Sequence, residues 1–241
     1  YAGNAFIGET AHNLVRRYQL VADGATFAAQ RPDGETDREF FASEDNWSRP
    51  VQIRTGPDGA LYIVDMYRAV IEHTRWIPAD RLAKVDPRAG DTMGRIYRVV
   101  PSGRKLRPVR DLTTLKGADL VAALDTSNGT TRDLVHQLLL HQKDRSTEEP
   151  LAGLVSSSAR PAVRAQAAAV LDGLKALTPE SLRDALQDED PRVRRHAVRL
   201  SETRAMSSPD LLEACLQLSS DPDFTVRYQL VLSLGEWDKP E

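Results

Sequence analysis

Along the first hundred residues, short apolar or alternating runs recur between turn-forming dipeptides; beyond Leu112 the apolar spacing shifts to three or four. Residues 5–8, 14–21, 26–29, 51–54, 61–64 and 95–100 therefore predict six strands, separated by turns such as Asp23-Gly24, Asp33-Gly34 and Asp58-Gly59. Asp-Gly supplies the positive φ of a tight hairpin, so 51–64 reads as one. Within it Leu61 and Ile63 face one side and Tyr62 and Val64 the other, so both faces are apolar. A sheet apolar on both faces is stacked on both sides, as propeller blades are. The six strands fall into two groups of three, whereas a blade has four. The expected fold is thus the terminal, incomplete blades of a β-propeller over residues 1–100, with its neighbouring blades upstream, because unpaired edges invite aggregation.

A different period governs the rest. Arg132, Arg164, Arg194 and Arg227 recur at intervals of 32, 30 and 33 residues. Three positions after each stands Val135, Ala167, Ala197 or Leu230, and seven after each Leu139, Leu171, Ser201 or Leu234, offsets that share one helix face. A shorter helix is predicted before each long one, at 118–124, 148–155, 179–186 and 209–218. Asp190-Pro191, Asp221-Pro222 and Thr178-Pro179 supply a cap followed by a first-turn proline. Helix pairs at this period predict an α-solenoid over residues 118–241, about four repeats and truncated, reached through a linker at 101–117. The segment from Asp188 to Ala197 resembles HEAT repeats and their bilin-lyase-like variant. The recurring arginine is expected to pair with acidic caps of neighbouring repeats.

Composition narrows the classes. The 241 residues carry a formal net charge of −3, spread evenly: 13 Lys/Arg and 14 Asp/Glu lie in residues 1–100. A basic nucleic-acid footprint is missing. The one basic cluster, Arg104, Lys105, Arg107 and Arg110, reads as a solvated linker. Cys215 stands alone on an apolar helical stripe, and His136, His141 and His196 lack companions that would complete a metal site. No apolar run reaches the ~18 residues of a membrane span. Between strands 61–64 and 95–100 lies a connection of 30 residues, long enough to carry structure or function. It includes a short helix near Pro78. With Asp65, Arg68, Glu72 and His73 it reads either as a self-packed cover held by ion pairs or as the lining of a ligand site.

Several strings, Asn46-Trp47-Ser48-Arg49-Pro50-Val51, Gly56-Pro57-Asp58-Gly59, Asp65-Met66-Tyr67-Arg68, Ile71-Glu72-His73 and Gly94-Arg95-Ile96-Tyr97, occur together with Gly3-Asn4-Ala5-Phe6 and His12-Asn13-Leu14. In this combination the chain resembles the PVC-type haem-binding proteins, a family of membrane-bound dehydrogenases. That resemblance implies a glucose/sorbosone dehydrogenase-like propeller, HEAT repeats and a C-terminal cytochrome c. It also implies a periplasmic or membrane-associated extracytoplasmic location. No CxxCH motif occurs in this sequence, so haem c is expected only in a part outside it.

The propeller portion is also similar to PQQ-dependent sugar dehydrogenases, which meet the acidic quinone with two arginines two residues apart. Arg49 matches the second; Trp47 stands in place of the first and Pro50 in place of an aspartate. The resemblance thus makes Arg49 the cofactor-binding candidate, with PQQ and calcium as implied cofactors and the catalytic residues unassigned. The structural alternative for Arg49 is an ion pair with Asp45, Asp58 or Asp65. Arg68, His73, His12 and Asp65 are the pocket candidates. The expected function is part of an extracytoplasmic sugar or alcohol dehydrogenase passing electrons to haem. The competing expectation is a non-catalytic propeller and HEAT module that recognises a glycan or a protein. A cytosolic HEAT adaptor is a third.

Overall fold

The structure is a computed structural model describing residues 1–103 and 105–237. Arg104 of the basic cluster lies outside the described residues. The chain divides into two compact units, Tyr1–Pro108 and Val109–Glu241. The division falls within the 101–117 stretch, whose Leu115 is buried in the helical core.

The first unit holds two antiparallel sheets. Strands β1 (Asn4–Glu9), β2 (Leu14–Asp23) and β3 (Thr26–Gln30) run in that order. A two-residue strand, β4 (Phe41–Ala42), pairs with Leu14 and Val15 at the start of β2, while β3 pairs with its end. This first sheet thus has four strands where the sequence pattern indicated three, with β3 and β4 end to end along one edge of β2. Two residues are too few to show a period. The second sheet is β5 (Pro50–Thr55), β6 (Leu61–Asp65) and β7 (Arg95–Val99), with a register shift between Pro50 and Gln52. The short helix α1 (Ala79–Leu82) lies in the connection before β7.

Strands β1 and β5 pack so closely that a Cβ on Gly8 would stand 2.5 Å from the Pro50 carbonyl oxygen. Gly8→Ala is accordingly expected to cost about 1–3 kcal/mol through overpacking. It would appear as a lowered urea midpoint for the strand-rich unit; an unchanged midpoint would refute the close approach.

The interior of this unit is small and mixed. Its buried hydrophobic residues are Val15, Ala60 and Ile63, beside the buried polar residues Asn13, Ser48, Arg49, Asp58 and Asp65. Ile7, Leu20, Val21 and Phe27 of the first sheet are exposed.

The second unit is helical throughout its regular structure: α2 (Gly117–Ala122) with α3 (Gly129–Gln142), α4 (Glu148–Ser157) with α5 (Pro161–Gly173), α6 (Pro179–Leu186) with α7 (Pro191–Leu200), and α8 (Pro209–Gln217) with α9 (Phe224–Trp237). Its contiguous apolar core includes Leu120, Val135, Leu151, Leu171, Leu182 and Leu211. Cys215 belongs to this core, where burial pushes its thiol pKa up.

The residues three positions after the repeated arginines are all buried. Seven positions after, Leu139, Leu171 and Ser201 are buried, whereas Leu234, at the equivalent place on α9, is exposed. Proline opens α7 after the cap Asp190, as expected. The helix α9 instead begins two residues beyond Pro222, and it is Asp223 whose carboxylate accepts from Thr225 N. Asp221 closes the preceding turn by accepting from Asp223 N at 2.8 Å, leaving it free to accept from Arg194 as well.

Candidate functional site

Residues 46–50 and 65–69 meet where β5 begins and β6 ends. Beyond the paired strands their backbones stay joined: Met66 N donates to Arg49 O and Arg68 N to Trp47 O, each at 2.9 Å. Asp65 is the hub. One carboxylate oxygen accepts from Arg49 N (2.6 Å) and Tyr67 N (2.9 Å), the other from Ser48 Oγ and Arg95 Nε (both 3.0 Å). Burial works against its charge, but the hydrogen bonds from Arg49 N–H, Arg95, Ser48 and Tyr67 N–H outweigh it and hold its pKa below the ordinary value. Asp58 is a second such hub in the hairpin turn. Burial opposes its charge, while Ala60 N–H, the Tyr62 hydroxyl and Arg98 favour it more strongly, so its pKa is lowered too.

The guanidinium of Arg49 forms no ion pair with Asp45, Asp58 or Asp65. These are taken by Arg95 and Arg98. Arg49 is 8% exposed, and its side chain donates to three carbonyl oxygens: Nε to Arg68 (2.9 Å), Nη1 to Thr10 (3.0 Å) and Nη2 to Ala69 (3.2 Å). It therefore ties the β1–β2 turn to the segment following β6. Two of its five N–H groups are not used in these bonds, and among the described residues no carboxylate lies within ion-pair distance.

Arg68 is held in a similar way. Its Nη1 donates to Met66 O, Tyr67 O and Gly90 O, and its Nη2 to Asp91 O. The long connection is thus closed at its base by an arginine on carbonyls, beside the Asp65–Arg95 ion pair that joins its two ends. His73 is exposed and accepts from Arg75 N, capping a single helical turn. His12 is exposed beside Glu9. Arg49, Arg68 and Asp65 thus come together; among the described residues neither histidine bonds to them.

Three participants were not singled out by sequence reading. Asn13, in the left-handed region at φ 60°, donates to the carbonyls of Asn46 and Ser48. Tyr67 adopts φ 54°, uncommon for a bulky side chain and costly unless its surroundings impose it. Arg95 lies over the Tyr67 ring at 4.4 Å and the Tyr97 ring at 5.3 Å while donating to both Asp65 and Asp45. Phe41 packs against Tyr97 at 5.1 Å and Trp47 against Tyr67 at 5.8 Å. The result is a half-exposed aromatic patch, with Trp47 39% exposed and the Asp45 carboxylate at its rim.

Among the described residues no three His, Cys, Asp or Glu side chains converge as metal ligands would. The described residues thus supply no carboxylate cluster for calcium. For a quinone carboxylate, Arg49 offers only the two N–H groups left over from its carbonyl cage.

Residues 1–103 match the model of a domain of unknown function, DUF7133. Residues 179–241 match HEAT repeats, so the C-terminal helical region is HEAT-like. No curated protein matches the chain. No helix among the described residues is long and apolar enough to cross a membrane.

Proposed function

We propose that the protein is a recognition module. In this reading its strand-rich unit forms blades of a β-propeller and binds a glycan, while the HEAT-like unit offers a surface to a protein partner. The observation that carries the proposal is the half-exposed aromatic patch. Trp47 presents an apolar face with Tyr67, Arg95 and Asp45 around it, and a few polar groups beside apolar rings are what a small-ligand site needs. A sugar suits that arrangement through its C–H faces on Trp47 and its hydroxyls on the Asp45 carboxylate. The propeller reading is supported by the exposed Ile7, Leu20, Val21 and Phe27, apolar positions that neighbouring blades would cover. The resemblance to membrane-bound dehydrogenases points to the periplasm or an extracytoplasmic membrane surface.

A second reading, part of a quinone-dependent sugar or alcohol dehydrogenase, is favoured by one feature: Arg49 is a nearly buried cation without a carboxylate partner among the described residues. Such a charge would welcome a ligand carboxylate.

Titration calorimetry against a panel of oligosaccharides separates the two. Binding that Trp47→Ala weakens by at least about tenfold, at unchanged thermal midpoint, supports the recognition module. No binding by the wild type, or binding indifferent to that substitution, overturns it. Dye reduction by the full-length protein with sugars, quinone and calcium, lost in Arg49→Gln, would establish the dehydrogenase instead.

A further inference from the structure

The repeated arginines make the HEAT-like unit its own internal standard. In α3, α5, α7 and α9 alike, the Nη1 of Arg132, Arg164, Arg194 or Arg227 donates to the carbonyl six residues earlier, of Thr126, Ser158, Asp188 or Asp221. In α5 and α7 the other edge of the fork grips a carboxylate from the pair that follows. Arg164 holds Asp188 with Nε and Nη2 both at 2.7 Å, and Arg194 holds Asp221 at 2.7 and 2.9 Å. Around that grip the surface is closed. The residues four and seven positions after the arginine, Ala168 and Leu171 in α5, Val198 and Ser201 in α7, are 4%, 2%, 0% and 0% exposed.

In α9 the equivalent positions are Val231 and Leu234, 65% and 41% exposed. Phe224 and Tyr228, also exposed, continue the stripe alongside Arg227 at helical spacing. Their rings stack 6.1 Å apart, with the Arg227 guanidinium over Phe224 at 5.6 Å. The Nη1 of Arg227 is engaged as in the other repeats, whereas among the described residues no carboxylate meets its Nε–Nη2 edge. A helix apolar on both sides is a helix covered on both sides.

We propose that this face of α9 receives one more helix pair of the same repeat type, supplied in cis, with an aspartate in the turn before its second helix. The aspartate takes the free edge of Arg227 as Asp188 and Asp221 take those of Arg164 and Arg194. The cis source follows from the order of the repeats: α3, α5 and α7 are each packed against the long helix of the next pair in the same chain. A second copy joined end to end is the poorer partner. Its first pair would present Thr126, a neutral hydroxyl, where the carboxylate is needed.

Hydrogen exchange on the complete gene product tests this. Amides of 224–237 are expected to be protected within about tenfold of those of 191–200, and Arg227→Gln to speed exchange in 224–237 by about tenfold without changing 161–173. Arg227→Lys, which keeps the charge but loses the fork, falls between. Exchange in 224–237 at the rate of an uncovered helix, indifferent to Arg227→Gln, overturns the proposal. So does protection that appears only on dimerisation, as judged by sedimentation.

Discussion

Replacing Asp65 by alanine is expected to cost the strand-rich unit about 3–5 kcal/mol, the penalty for breaking a buried charged network on one side. Four donors lose their acceptor at once: two backbone N–H groups, the Ser48 hydroxyl and Arg95 Nε. With so few apolar side chains buried among the described residues of this unit, little else compensates. The loss reaches the aromatic patch too, because Arg95 is steered over Tyr67 and Tyr97 by the same carboxylate. Urea unfolding followed by near-ultraviolet circular dichroism, which reads Trp47, Tyr67 and Tyr97, measures it. Asp65→Asn keeps one acceptor oxygen and should lose roughly half as much. A loss below about 1 kcal/mol for the alanine variant would mean that Asp65 is not the hub.

The same network sets a pH dependence. Asp65 and Asp58 both have pKa values lowered on folding. Such carboxylates lend stability that is complete above their unfolded values, near pH 4, and is lost as pH falls through the lower folded values. The strand-rich unit is expected to unfold with acid, and Asp65→Asn to flatten that dependence.

What could be read from the sequence was local. The strands and the helices of the second unit carry their own periods, so the order of elements and the arginine register were legible. Asp58-Gly59 announced its hairpin because the turn needs no distant partner. Arg49, Arg68 and Asp65 stand among the sequence's candidates together with His73 and His12, yet among the described residues neither histidine bonds to them, and the roles of the three are decided by residues far along the chain. Arg49 meets Thr10 across 39 positions, and Asp65 meets Arg95 across 30. The task of Asn13 is equally distant in sequence: its amide braces the carbonyls of Asn46 and Ser48, 33 and 35 positions away. Likewise Asp221 looked like a cap because proline follows it; Arg194, 27 residues earlier, gives it its second task.

That second task predicts the other large effect. Arg164→Ala is expected to destabilise the HEAT-like unit by about 3–5 kcal/mol, because it strands the Asp188 carboxylate and the Ser158 carbonyl in a nearly closed environment. Arg132→Ala should cost only about 1 kcal/mol, since Ser158 stands where the later repeats carry aspartate and, among the described residues, the fork bonds to the Gln166 amide oxygen and Thr126 O without a carboxylate. A cycle with Arg164→Met and Asp188→Asn isolates the pair, with a coupling of about 2–3 kcal/mol expected between residues in direct contact. Guanidinium unfolding followed by far-ultraviolet circular dichroism supplies the numbers. If Arg164→Ala proves no costlier than Arg132→Ala, the carboxylate grip does not hold the repeats together and apolar packing alone does.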